Sequence, residues 1–309
     1  MGDSLSHLPQ QLANGLTLGA VYALIALGYS LVYGVLRLLN FAHGEVYMVG
    51  AFIGYGVLSL LDPALAAGLP GWLGLTAMLL AAMLGCGLLG ALIERLVYRP
   101  LRHTHRLAPL LGALGIAFVL QHGVLLLASA RHRAIHAELI LPAALGFELG
   151  SVRLSAARLL VIGIALLLLA ALSLLVYRTR MGRALRAIGA DPEAAAMLGV
   201  PVERVVSQTF VLGSALAGAA GVLVGLVFTK VWHLMGVAAG LKGFTAAVLG
   251  GIGSLPGALL GGLLLGIAES VSTGVISPTY SDLIVFGVLI VALLVRPSGL
   301  FGKRAQPKV

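Results

Sequence analysis

Eight stretches of the chain run without a charged residue, at 11–36, 46–61, 71–93, 107–128, 159–176, 205–229, 243–268 and 283–295. Most of them approach or exceed the roughly 20 apolar residues that a helix needs to cross the hydrocarbon core of a bilayer. Leu, Ala and Gly fill them, without the alternation of apolar and polar positions that a transmembrane barrel strand requires. The pattern predicts an all-α, polytopic transmembrane helix bundle that takes in the whole of 1–309.

Basic residues give the orientation. Arg95, Arg99, Arg102 and Arg106 form one cluster; Arg178, Arg180, Arg183, Arg186 and Arg204 form a second; Arg296, Lys303, Arg304 and Lys308 form a third. Together they hold most of the 20 Lys and Arg, and loops rich in these residues stay in the cytoplasm. Two apolar runs separate the first cluster from the second, as parity requires. Three separate the second from the third, which would leave the C-terminus outside.

The segment Gly250-Gly251-Ile252-Gly253-Ser254-Leu255-Pro256-Gly257 removes the conflict. Glycine permits positive φ, and proline lacks the N–H of an unbroken helix. The expectation is a short or broken span over 234–252, a turn at 253–257 and a new helix from Pro256. The total is then about eight or nine spans with broken helices, the N-terminus outside and the C-terminus cytoplasmic.

Composition agrees. Hydrophobic residues make up 60% of the chain and charged residues 10%, against about 25% charged in a soluble domain, and the mean hydropathy is +1.05. A net charge of +9 could suggest nucleic acid. The charges sit in short loops between spans, and aromatics are only 6%, so no nucleic-acid partner is expected. Cys86 stands alone in an apolar run and supports neither a disulfide nor a thiolate metal cage. Residues 1–10 contain no Lys or Arg, so no cleaved leader is expected. Gly15, Gly19, Gly28 and Gly34 in the first span, and Gly213, Gly218, Gly221 and Gly225 in the sixth, suit close helix approach.

Catalytic chemistry is missing. A phosphate-binding Walker loop ends in Gly-Lys followed by Ser or Thr, yet none of Lys230, Lys242, Lys303 and Lys308 precedes Ser or Thr. There is no His-Glu-x-x-His, Cys-x-x-Cys or Gly-x-Ser-x-Gly. The chain is not expected to be an enzyme or to carry a cofactor or metal; if ATP drives it, another subunit hydrolyses the ATP. His103 and His105 read as solvated, and His122 as the donor of an interhelical hydrogen bond.

Two polar segments stand out. Asn40-Phe41-Ala42-His43-Gly44-Glu45 lies between the first two spans. A charge inside a membrane costs about 2.5–3.5 kcal/mol on insertion scales, so His43 and Glu45 face protein, a water-filled cavity or the inner boundary. The second segment, at 178–204, holds Asp191 positioned to cap a helix starting at Pro192, Glu193 at its positive end and Gly199 to close it.

Glu193-Ala194-Ala195, followed after three residues by Gly199, resembles the EAA loop of ABC importer permeases, without that motif's later Ile-x-Leu-Pro end. From about residue 11 to 301 the chain resembles the LivH family of branched-chain amino acid permeases. The likeness is carried by Asn14-Gly15-Leu16-Thr17-Leu18-Gly19-Ala20-Val21-Tyr22-Ala23-Leu24, the Asn40–Glu45 segment and Glu94-Arg95-Leu96-Val97-Tyr98-Arg99-Pro100. Arg180-Met181-Gly182-Arg183-Ala184 and Lys242-Gly243-Phe244-Thr245-Ala246-Ala247-Val248-Leu249-Gly250-Gly251-Ile252-Gly253 complete it. Family members carry Asn-Pro where this chain has Trp232-His233.

The resemblance implies a single transmembrane permease domain of the bacterial inner membrane. Its partners would be a second homologous permease subunit, two cytoplasmic ATPase subunits and a periplasmic substrate-binding protein. It implies that 178–204 couples to the ATPase through Arg186, Asp191, Glu193, Ala194, Ala195 and Gly199. Asn40, His43, Glu45, Lys242 and Thr245 would line the substrate pathway, although Lys242 would equally suit snorkelling to the outer interface, and Glu94 reads as an interface charge. Branched-chain amino acids are the expected cargo, with amides and urea carried by similar permeases. The alternative is an ion-coupled secondary transporter of small polar solutes using Glu45 or Glu269; a passive channel lacks its duplicated Asn-Pro-Ala signature here.

Overall fold

The computed structural model describes residues 8–102, 104–105, 107–140, 146–149 and 152–302. Its helices in chain order are α1 (Leu8–Leu36), α2 (His43–Ala66), α3 (Gly71–Leu101), α4 (Ala108–Ala128), α5 (Ala156–Arg178), α6 (Arg180–Ala190), α7 (Pro192–Met197), α8 (Val202–Phe228), α9 (Met235–Gly250), α10 (Leu255–Val275) and α11 (Ser281–Val295). Eight helices are long and apolar enough to span a membrane, and α9 is a shorter apolar helix. The bundle is the expected all-α polytopic one; most of its long helices begin and end near the bounds of the charge-free runs, while α3 continues to Leu101 and the run at 243–268 is divided between α9 and α10.

The centre belongs to α1 and α8. Of the most apolar stretch of each, 89% and 78% is buried, against 6% for α4 and for α11. The two central helices are apolar all round because protein surrounds them; the outer ones are apolar because lipid does. Glycine sets the spacing. A Cβ on Gly15 or Gly19 would stand 2.7 Å from backbone of α10, and one on Gly218 would meet α3 at Ala82 O, 2.6 Å away.

The break between α9 and α10 falls where the glycine–proline segment placed it, two residues early. Gly251 and Gly253 adopt φ of +102° and +88°, Ser254 Oγ accepts from the Gly257 amide at 3.2 Å, and α10 starts at Leu255 with Pro256 in its first turn. The backbone returns from α11 to seal this turn, with the Leu300 and Phe301 amides donating to Leu249 O and Gly250 O at 2.9 Å.

Two helices start inside the bundle rather than at its surface. His43, the first residue of α2, packs on Gly28 of α1. Gly28 lies eight residues before the end of α1, or about 12 Å of helix. The start of α9 meets the start of α2 there: a Cβ on Gly44 would lie 2.7 Å from Gly240 Cα, and one on Gly236 would lie 2.7 Å from Gly44 O. With 16 residues, α9 extends about 24 Å and reaches only from this interior point to the turn at Gly251.

Two features were not foreseen. Small antiparallel pairs sit at the end of the bundle away from α6: Arg133–Ala134 (β1) pairs with Lys230–Val231 (β4), and Gly146–Leu149 (β2) with Val152–Ser155 (β3). In α3, Glu94–Tyr98 forms a π-helical turn.

Candidate substrate pathway and docking surface

The start of α2 is built by Asn40. Its Oδ1 accepts from the Ala42 amide at 3.2 Å and from the hydroxyl of Tyr98 at the same distance. Tyr98 also reaches Leu39 O at 3.2 Å; it is buried on the π-helical turn, its ring 4.9 Å from that of Phe210. The turn rotates Tyr98 inward, and α2 depends on it. His43 is 1% exposed and stacks on Tyr29 with ring centroids 4.7 Å apart. Two residues on, Glu45 is 4% exposed, and its Oε2 has no hydrogen-bond partner among the described residues. A cavity of about 240 Å³ opens beside it, lined by Tyr29, Phe41, Phe118, Gly236 and Phe244 among others. Of Asn40, His43 and Glu45, only Glu45 lines this cavity; Asn40 and His43 are buried just before it in the chain.

Lys242 is not part of that group. Its Nζ stands 2.6 Å from Glu269 Oε1 and 2.9 Å from Asp282 Oδ1. Glu269 also accepts from the hydroxyls of Tyr22 at 2.8 Å and Ser281 at 2.9 Å. This network joins α1, α9, α10 and α11 beside a second cavity of about 340 Å³. The lysine does not line the Glu45 cavity; two carboxylates hold it. Thr245 is fully buried, and its hydroxyl donates to Leu241 O within the same helix at 2.9 Å. It packs the core.

Two minor expectations are corrected. Glu94 is 1% exposed, paired with Arg102 at 2.7 Å rather than facing an interface, and Arg102 continues to Glu203 at the start of α8. Among the described residues His122 makes no interhelical bond; its Nδ1 bonds Phe118 O one turn away at 2.9 Å, on an exposed face. His103, Arg106, Lys303, Arg304 and Lys308 lie outside the described residues. The aromatic lining of the Glu45 cavity was not singled out from the sequence. Phe41 comes from the connector before α2, and Phe118 and Phe244 from two separate apolar runs; only packing brings them together.

At the basic end, Thr179 Oγ1 caps α6 by accepting from the Gly182 amide at 3.1 Å, and Leu185 and Ile188 turn inward. Arg186 binds the Val176 carbonyl that ends α5 and lies over Tyr177 at 5.6 Å. Asp191 Oδ1 accepts from the Glu193 and Ala194 amides at 3.0 and 3.1 Å, so the cap forms as the sequence predicts. Gly199, at φ +80°, follows the helix end. Ala195 is buried, while Glu193 and Ala194 are exposed. Met197 and Leu198 project with 87% and 84% exposure beside charged loops. Arg37 donates to Gly189 O at 2.9 Å and ties this surface to the end of α1.

A family model described as the branched-chain amino acid transport system / permease component matches residues 11–294. The chain is 42% identical to the high-affinity branched-chain amino acid transport system permease protein BraD of Pseudomonas aeruginosa, over 98% of both chains. It is 40% identical to LivH of Escherichia coli over the full length of both. The probable LivH of Methanocaldococcus jannaschii is 29% identical over 90% of this chain and 88% of that one. No solved structure matches. With its eight apolar spans the protein is a multi-pass protein of the bacterial inner membrane. The chain belongs to the family of branched-chain amino acid transport system permease components.

Proposed function

We propose that this chain is the membrane-spanning subunit of an ATP-driven importer that carries branched-chain or related amino acids inward. It works as one permease unit beside a second homologous permease. Two ATPase subunits dock on the α6–α7 surface in the cytoplasm, and a periplasmic binding protein delivers cargo at the opposite end. The cargo passes the start of α2, where Glu45 lines the cavity and the buried Asn40 and His43 precede it in the chain. Thr245 and Lys242 serve this pathway by holding α9 in place.

The observation that carries the reading is the tip of α7. A capped helix in a polar setting presents Met197 and Leu198 almost fully to solvent, and apolar side chains in that position call for a protein partner. Motion at this tip has a route inward. It leads directly into α8 through the chain and into α1 through Arg37 and Gly189, and these are the two central helices. ATP-driven closure of the docked subunits then tilts the core and exposes the pathway to alternate sides.

The test is reconstitution with the ATPases and binding protein. Glu193→Lys, or Met197→Asp with Leu198→Asp, lowers binding-protein-stimulated ATP hydrolysis about tenfold or more, as expected for removal of an interface hot spot. Stimulation unchanged in both variants refutes the docking surface. Uptake that continues without ATPases and collapses with an ion gradient refutes the importer reading.

A further inference from the structure

Glu45 occupies the third position of α2, inside the bundle, with a buried and unpartnered carboxylate oxygen. A charge so placed requires compensation. Part of it comes from the positive ends of two helices, α2 itself and α9, whose Gly236 is pressed against the carboxylate. Those dipoles favour the ionised form but offer no counter-ion. The residues lining the cavity include no Lys, Arg or His. Lys242, the half-buried lysine of α9, is already held by Glu269 and Asp282. The chain has thus built an anionic site and left the cation to come from elsewhere.

The shape of the cavity restricts what that cation is. Away from Glu45 its wall is mainly apolar, with Phe41, Leu114, Phe118, Val237 and Phe244 beside Tyr29 and Gln121, and it offers a surface for an apolar group. Its volume of about 240 Å³ lies below the roughly 300–1,000 Å³ of sites for drug-sized ligands. The first turn of α9, with Gly236 and Val237 at the cavity, carries amide N–H groups that an α-helix leaves without internal partners. A small molecule with an ammonium group, a carboxylate and an apolar side chain fits all three regions at once.

We propose that Glu45 accepts the ammonium group of the transported amino acid, whose carboxylate faces the first turn of α9 and whose side chain lies among the phenylalanines. This assignment rests on the importer reading above and adds the residue that recognises the cargo. It follows that cargo without a free ammonium group is poorly held.

The experiment uses the purified transporter complex, without binding protein, and measures saturable binding of leucine, isoamylamine (ammonium only) and 4-methylpentanoate (carboxylate only). Glu45→Gln weakens leucine and isoamylamine about tenfold or more, the effect of losing a charge-assisted hydrogen bond. It leaves 4-methylpentanoate unchanged, and Glu45→Asp recovers part of the loss. Equal weakening of all three ligands, wild-type affinity in Glu45→Gln, or no saturable leucine binding by the wild type overturns the assignment. Should Glu45→Gln fail to assemble, Phe118→Trp decides: it fills the cavity from its exposed side, and undiminished leucine binding refutes the site. Binding-protein-stimulated ATP hydrolysis by the wild type is measured in parallel, so that failure of the importer reading is seen separately.

Discussion

At the scale of single residues, Glu269 and Glu45, two of the buried acids, have opposite fates. Glu269 is saturated, with Lys242, Tyr22 and Ser281 on its two oxygens. Glu45 keeps one oxygen free. Lys242→Met leaves Glu269 without its counter-ion; breaking a buried pair from one side costs about 3–5 kcal/mol, and the melting temperature of the detergent-solubilised protein falls accordingly. The double variant Lys242→Met with Glu269→Gln regains most of that loss, because the only carboxylate left without its partner is the exposed Asp282. Both acids, and Lys242, were visible in the sequence as charges near or within apolar runs. Which of them pair was not, since Lys242 and Glu269 lie 27 positions apart and meet only through the packing of α9 on α10. Asp191 was more legible, because it caps its own neighbours.

At the scale of elements, local chemistry dictates the ends of α7 and α9. Asp191→Ala removes the cap of α7 at a cost of about 1 kcal/mol; the reconstituted complex then shows reduced stimulated ATP hydrolysis at unchanged ATP affinity. Gly251→Val forces a branched side chain into φ +102° and against Gly302. Strain of this kind costs about 1–3 kcal/mol, read as a lower melting temperature. Both devices could be read from the sequence because Gly, Pro and Asp act within a few residues of themselves. The π-helical turn at Glu94–Tyr98 and the β1–β4 pair escaped that reading. The first differs from an α-turn by one hydrogen-bond step, and the second joins segments nearly 100 residues apart.

At the scale of the whole molecule, the order of passages makes a topological prediction. Residues near β1 and the tip of α7 lie at opposite ends of the bundle. Cys86, the lone native cysteine, is fully buried and gives little background. A membrane-impermeant maleimide therefore labels Arg131→Cys in spheroplasts and Met197→Cys only in inverted vesicles; labelling of both from one side disproves the arrangement. Parity and basic clusters predict this order, because hydrophobic length and charge asymmetry are properties of the chain itself, and the labelling tests it.

The interior starts of α2 and α9 have a consequence for insulation. Below and above the Glu45 cavity, part of the hydrocarbon layer is bridged by the connectors 37–42 and 229–234 instead of continuous helix. Such a seal opens by turning a few backbone torsions and leaves the long helices in place. It is correspondingly thin, so shortening either connector by one residue should first appear as proton leakage across the resting membrane.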